Sequence, residues 1–177
     1  MCGRFTHAYT WREIHDLLDL RWPEHLDLPP RYNVAPTQLA PVVRIEEHAG
    51  SRVRAMSMLR WGLAPRWADD LSIGSRMINA RGETAHEKPA FRDAFRARRC
   101  IVPISGFYEW REVPGRRTKQ PLYVLPAEDR GIFLLAGLWE PWRDESECPG
   151  TFTVLTTTPN ELLATIHDRM PAMLEPE

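Results

Sequence analysis

Apolar positions along the chain recur mostly with a period of two, in short runs broken by Gly, Pro and charge. One stretch near the start keeps a helical period instead: Thr10 and Glu13 form a capping box, and Trp11, Ile14, Leu17 and Leu18 follow at helical spacing, predicting a helix over about 11–20. Five prolines from Pro23 to Pro41 argue against a continuous helix or a central strand there, and leave an extended segment containing RYNVAPTQ at 31–38. Pro41–Ile45 and Val53–Leu59, separated by a turn-like HAGS, predict a hairpin. WGLAPRW at 61–67 interrupts the alternation with Gly62 and Pro65. MINARGET at 77–84 precedes a predicted helix with Pro89 in its first turn and Phe91, Ala94 and Phe95 on one face. Strands are then predicted over Cys100–Ile104, Phe107–Glu112, Leu122–Leu125, Ile132–Trp139 and Thr151–Thr157, with a basic hairpin tip at Pro114–Lys119. A last short helix is expected from near Pro159, capped by Thr158 and ending before His167. With no internal repeat and no linker, the pattern predicts an α+β fold: one β-rich domain over 1–177, with a barrel-like antiparallel sheet core and a few peripheral short helices.

Composition agrees with one domain. A chain of 177 residues, 43% hydrophobic, can bury a sizeable core. Neither a signal peptide nor an apolar run of membrane-spanning length is visible, so a cytoplasmic protein is expected. Cys2, Cys100 and Cys148 are widely spaced and odd in number, which points to neither a disulfide framework nor a metal site; no cofactor is expected. Net charge is −1, but residues 51–120 hold 15 Arg or Lys against 7 Asp or Glu. Of 23 basic residues 21 are Arg, a bias that suits bidentate phosphate contacts and equally follows from a GC-rich genome.

Candidate chemistry begins at MCGRF. Methionine is usually removed before a small residue, which would leave Cys2 with a free α-amine beside its thiol. At reference pKa values of about 7.7–8.0 and about 8.5, a useful fraction of each group is nucleophilic near neutral pH. Such a 1,2-aminothiol can capture an aldehyde as an imine and close it to a thiazolidine, or can run amide hydrolysis with sulfur as nucleophile and amine as base. A start codon followed by a small buried Cys is the plainer reading. In GFYEW, alternation puts Phe107 and Glu109 on one face and Tyr108 and Trp110 on the other. A Glu among aromatics either pairs with an Arg or has its pKa raised toward a value useful for proton transfer. His167 follows a short helix, and histidine is the side chain that titrates nearest working pH. Asn79 and Arg81, two apart, face one side of an extended segment. There the amide could bond Cys2 or a sugar, and the guanidinium a phosphate. Trp61 and Trp67, beside Arg60 and Arg66, could stack bases or close the core.

Taken together, MCGRF at 1–5, RYNVAPTQ at 31–38, WGLAPRWA at 61–68, MINARGET at 77–84, GFYEW at 106–110 and IHDRMP at 166–171 resemble the ordered motifs of the SOS response-associated peptidase family. The resemblance implies a β-rich fold with a basic groove for single-stranded DNA, and capture of abasic sites as a thiazolidine on the N-terminal cysteine. It also implies self-processing of any residue ahead of Cys2. Carried over by motif, Cys2 is the nucleophile, Asn79 holds it or the sugar, Glu109 moves protons during ring opening, and His167 assists imine formation. Arg4, Arg81 and Arg169 match DNA contacts, while Pro36 and Trp67 match apolar surface against neighbouring bases. Two departures stand out: Ala68 occupies a position where the family can carry a second aromatic, and the family pattern continues beyond Glu177.

Three readings therefore stand. One is a monomeric protein that crosslinks to abasic sites in single-stranded DNA, away from membranes. The others are an N-terminal-cysteine peptidase or amidase, and a noncovalent single-strand binder whose Cys2 is structural.

Overall fold

The computed structural model describes residues 2–127 and 131–175. Its strands form two sheets that share one core. The smaller sheet, in the order β2 (Arg31–Val34), β1 (Arg4–His7), β7 (Gly106–Arg111), β8 (Gln120–Val124), is antiparallel throughout. In the larger sheet, β3 (Leu39–His48), β4 (Ser51–Trp61), β6 (Arg99–Ile104), β9 (Phe133–Glu140) and β10 (Thr151–Thr157) are hydrogen-bonded in the order β10–β4–β3–β6–β9. β9 also pairs with β10, so the sheet partly closes into a ring. The ring departs from the expected all-antiparallel core, because β10 runs parallel both to β4 and to β5 (Asn79–Arg81).

Local signals explain most elements. The β3–β4 hairpin turns through Ala49 and Gly50, both left-handed (φ 49° and 77°), the geometry a tight two-residue turn demands. Thr10 caps α1 (Trp11–Leu18) through the full capping box. This helix stops two residues before the expected end because Asp19 turns left-handed (φ 47°) and donates its N–H to His15. Trp11, Ile14 and Leu18 are buried as expected, whereas Leu17 is 39% exposed. β3 starts two residues before the expected Pro41, so that this proline lies inside the strand. The second edge of that strand meets β6 only at Val43↔Ile101, so β3 behaves largely as an edge strand. Pro89 precedes the helix it was expected to start; α2 is Gly82–Ala85 and α3 is Arg92–Ala97, whose first turn hangs from the Lys88 carbonyl. The last helix, α4 (Glu161–Ala164), is capped by Asn160 rather than Thr158, with Oδ1 accepting from the Leu163 N–H. β1, β2 and the two-residue strands β11 (Met170–Pro171) and β12 (Met173–Leu174) were not anticipated; they form by pairing onto longer strands.

The core between the sheets is aromatic. Phe5 and Phe107 of the smaller sheet meet Trp61 and Phe152 of the larger, with Phe5 and Trp61 rings 4.8 Å apart. Trp61 is thus a core residue and not a base-stacking surface, its indole N–H donating to the Ile78 carbonyl at 2.9 Å. Just past Trp61 the chain bends at Gly62 (φ 120°), whose backbone lies against that of Gly74; a Cβ on Gly62 would sit 2.5 Å from the Gly74 carbonyl oxygen. That close crossing sets the path of the 63–76 segment. Among the described residues no helix is long and apolar enough to cross a membrane.

β1 carries one costly residue. His7 is 1% exposed and neither ring nitrogen has a hydrogen-bond partner. Burial, and secondly the Arg31 charge, push its imidazole down from 6.5 to about 4. The folded chain thus binds this proton less readily than the unfolded chain, so stability falls as pH drops through 6.5 towards about 4. The loss should reach about 3 kcal/mol. Urea unfolding of His7→Phe across this range should lack that part of the acid lability.

Candidate functional site

Cys2 has no exposed surface. It joins the core cluster of Phe5, Trp61 and Phe107, at the point where the chain enters β1. Its carbonyl accepts a hydrogen bond from Asn79 Nδ2 at 2.8 Å, and its thiol points to the Arg4 carbonyl at 4.0 Å. Burial, then the negative charge of Glu109, push the thiol up to about 12; the nearby α-amino charge and the Arg4 carbonyl contact act in the opposite sense but more weakly. In the chain that still carries Met1, the thiol is therefore not partly ionised near neutral pH. The unbound protein holds Cys2 as a neutral thiol, because burial removes the solvation that an anion would need. Removal of Met1 concerns a residue outside the described ones.

Glu109 reaches Cys2 through strand register. β1 and β7 run antiparallel with Arg4↔Tyr108 and Phe5↔Phe107 paired, and continuing that register sets Gly3 opposite Glu109. Alternation along β7 is as expected: Phe107 and Glu109 are buried, while Tyr108 and Trp110 are half-buried. Glu109 is 3% exposed, and its Oε1 accepts from the Trp110 N–H at 3.1 Å.

β10 gathers the second half of the site. One of its edges is occupied by β4 and then β5, the other by β9 and then β11. At Thr156 the strand therefore has Arg81 on one side and Pro171 on the other, which brings MINARGET and IHDRMP together. Asn79 is half-buried beside Cys2, and its Oδ1, with no hydrogen-bond partner, is left available. Arg81 is exposed and shares a groove of about 440 Å³ with Asn79, Trp67, Lys88 and Phe91. Trp67 is 61% exposed on a loop pinned at both sides. The Ala64 N–H donates to Thr151, Arg66 pairs with buried Glu140 at 3.6 Å, and Ala68 packs into a cluster with Trp142 and Cys148. A second aromatic at position 68 would have to enter that buried cluster.

His167 follows α4 as expected, its backbone N–H bonded to the Leu163 carbonyl. Its Nδ1 lies 3.1 Å from the Arg169 N–H and 2.7 Å from Asp168 Oδ1. Arg169, expected at the DNA, is instead engaged within the protein: both Nη atoms donate to Glu83 at 2.8 Å, and Nη2 also reaches the Thr156 carbonyl at 2.6 Å. That fork holds the Glu83 carboxyl down to about 2. Arg4 donates to Asn33 Oδ1 at 2.9 Å. Pro36 is half-buried on the turn between β2 and β3, which is tied to the end of β4 by Thr37 N–H donating to the Trp61 carbonyl.

The structure thus bonds Asn79 to Cys2, brings the thiol within the field of Glu109, and sets Arg81 and Trp67 along one groove with Asn79. Sequence reasoning missed Glu83, Thr156, Lys88 and Phe91. Glu83 lies inside the MINARGET motif, but nothing local shows that its partner is 86 positions away. Among the described residues no group of three His, Cys, Asp or Glu could hold a metal ion.

The chain is similar to known proteins in both sequence and fold. The profile of the family described as SOS response associated peptidase (SRAP) matches residues 1–177. Abasic site processing protein YoaM of Bacillus subtilis (strain 168) is 42% identical over 177 residues, covering 98% of this chain and 75% of that protein. Abasic site processing protein YedK of Escherichia coli (strain K12) is 33% identical over 182 residues, covering 100% and 77%. A crystal structure of a protein from Bacteroides thetaiotaomicron superposes with a TM-score of 0.79 at 27% identity, over 98% of this chain and 77% of that one. The chain belongs to the SOS response-associated peptidase family.

Proposed function

We propose that this protein processes abasic sites in single-stranded DNA by forming a covalent thiazolidine with Cys2, after Met1 has been removed, by self-processing or otherwise. The observation that carries this reading is the anchoring of Cys2. The residue is held through its carbonyl by Asn79 and set within the field of a buried carboxylate, Glu109, in a chain whose relatives are named abasic site processing proteins. A purely structural cysteine would need neither.

The neutral thiol sets the order of steps. The α-amine attacks first: the lesion's hemiacetal ring opens, with Glu109 moving the proton between ring oxygen and hydroxyl, and the amine adds to the exposed aldehyde carbon. The carbinolamine then loses its hydroxyl as water, protonated by His167, to give the imine. The Cys2 sulfur adds to the imine carbon and its proton passes to the nitrogen, closing the five-membered ring. One aldehyde and one aminothiol yield one thiazolidine and one water. Arg4 and Arg81 hold flanking phosphates, and Trp67 and Pro36 offer apolar surface to neighbouring bases. Because its fork is occupied by Glu83, Arg169 acts from behind the site.

Intact-mass analysis after incubation with abasic single-stranded DNA tests this directly. Retaining Met1 or acetylating the amine should abolish the stable adduct, and Cys2→Ser should leave only an imine that borohydride traps. With Met1 retained, Cys2 should alkylate at pH 8 about a thousandfold more slowly than an unburied thiol, and faster as pH rises towards 12.

Glu109→Gln and His167→Ala should each slow crosslinking by roughly 10²- to 10⁴-fold without weakening binding to unreactive single-stranded DNA. With a simple aldehyde that has no ring to open, Glu109→Gln should lose far less. Arg4→Ala and Arg81→Ala should weaken binding to every single-stranded sequence and flatten its salt dependence, each by roughly 0.7 in log–log slope.

A further inference from the structure

His167 Nδ1 has two neighbours of opposite demand. The Arg169 backbone N–H at 3.1 Å requires Nδ1 to be an unprotonated acceptor, which places the ring proton on Nε2. The Asp168 carboxylate at 2.7 Å requires Nδ1 to carry a proton. One nitrogen cannot serve both at once. The amide is fixed by the backbone while the Asp168 side chain is 82% exposed and open to water, so in the neutral ring the amide contact favours the Nε2–H tautomer, and on protonation Nδ1 becomes a donor to Asp168.

Whether the amide stays aimed at Nδ1 depends on how residue 169 is fixed. Its side chain is bound by four hydrogen bonds that converge from two other elements: two to Glu83 at the start of α2, and two to the carbonyl and hydroxyl of Thr156 on β10. The Arg169 side chain is only 12% exposed, so little water competes for the fork. Glu83 itself follows Arg81 by two residues, so the segment that presents a phosphate-binding guanidinium also braces the histidine turn.

We propose that Glu83 and Arg169 are positioning residues that hold the 167–169 turn so that the Arg169 amide fixes the neutral His167 ring as its Nε2–H tautomer. This rests on the reading above only in taking His167 as the proton donor to the departing hydroxyl. With Nδ1 engaged inside the turn, Nε2 is the nitrogen left for chemistry, and the tautomer decides whether it offers a proton or a lone pair.

The test joins spectroscopy with kinetics on the Met1-processed full chain. Long-range ¹H–¹⁵N spectra at a pH where His167 is neutral should show one tautomer, with the proton on Nε2. Glu83→Gln and Arg169→Lys should give a mixture, and crosslinking to abasic single-stranded DNA should slow about tenfold, part of the 10²- to 10⁴-fold a general acid supplies. Affinity of Glu83→Gln for unreactive single-stranded DNA should not change, and Glu83→Asp, which keeps the carboxylate, should recover most of the rate. A pure Nε2–H tautomer in folded Glu83→Gln and Arg169→Lys proteins would overturn the proposal, as would rate loss caused entirely by weaker binding. Should Glu83→Gln unfold, Arg169→Lys decides alone. If His167→Ala crosslinks at the normal rate, the role given to His167 fails, whereas the tautomer spectra still decide what Glu83 and Arg169 do.

Discussion

The burial of Cys2 against Asn79 is the contact on which the rest of the site depends. A residue at the start of a chain is ordinarily free to fray. Here three constraints remove that freedom: β1 pairs on both edges, with β2 and β7; Phe5 packs on Trp61; and the Asn79 amide takes the Cys2 carbonyl. Each comes from a different part of the chain. Loss of any one would return the first residues to solvent, separating the thiol from Glu109.

That placement has an energetic cost. A thiol and a carboxylate share a desolvated region in which the carboxylate opposes ionisation of the thiol. For packing alone, an apolar pair would serve better. For the imine chemistry proposed above the arrangement would be useful, because sulfur would stay protonated until the imine carbon had formed, with a buried carboxylate nearby to handle protons. His7, at the far end of β1, is a buried polar residue whose ring nitrogens have no hydrogen-bond partner, a group that folding tolerates rather than favours.

β10 is the scaffold for the other half. Its parallel pairing with β5 and antiparallel pairing with β11 meet at Thr156, so one strand sets the spacing between the Asn79–Arg81 pair and the His167 turn. Thr156 also supplies oxygens to Arg169, which ties backbone register to side-chain position. The groove with Trp67 then follows from the loop's anchors at Thr151 and Glu140, residues of β10 and of its neighbour β9.

The sequence by itself determined the features that rest on neighbours a few residues apart. The capping box at Thr10, the tight turn at Ala49–Gly50, the alternation in β7 and the strand runs from Cys100 to Thr157 were all legible, because each is settled by local backbone preference and side-chain period. The motifs also pointed to the residues of the site, though by resemblance and not by geometry. Only the tertiary structure decided their states. Trp61 and Trp67 look alike in WGLAPRW, yet one is core and the other exposed, because only Trp61 lies on a strand facing the second sheet. Cys2 looked partly ionised until folding brought Asn79, 77 positions later, onto it and burial removed its water. Nothing around Arg169 in the sequence shows that Glu83, 86 positions earlier, occupies its fork. Charge state and hydrogen-bond partner depend on desolvation and on contacts distant in sequence, and neither is written in the order of residues around the group concerned.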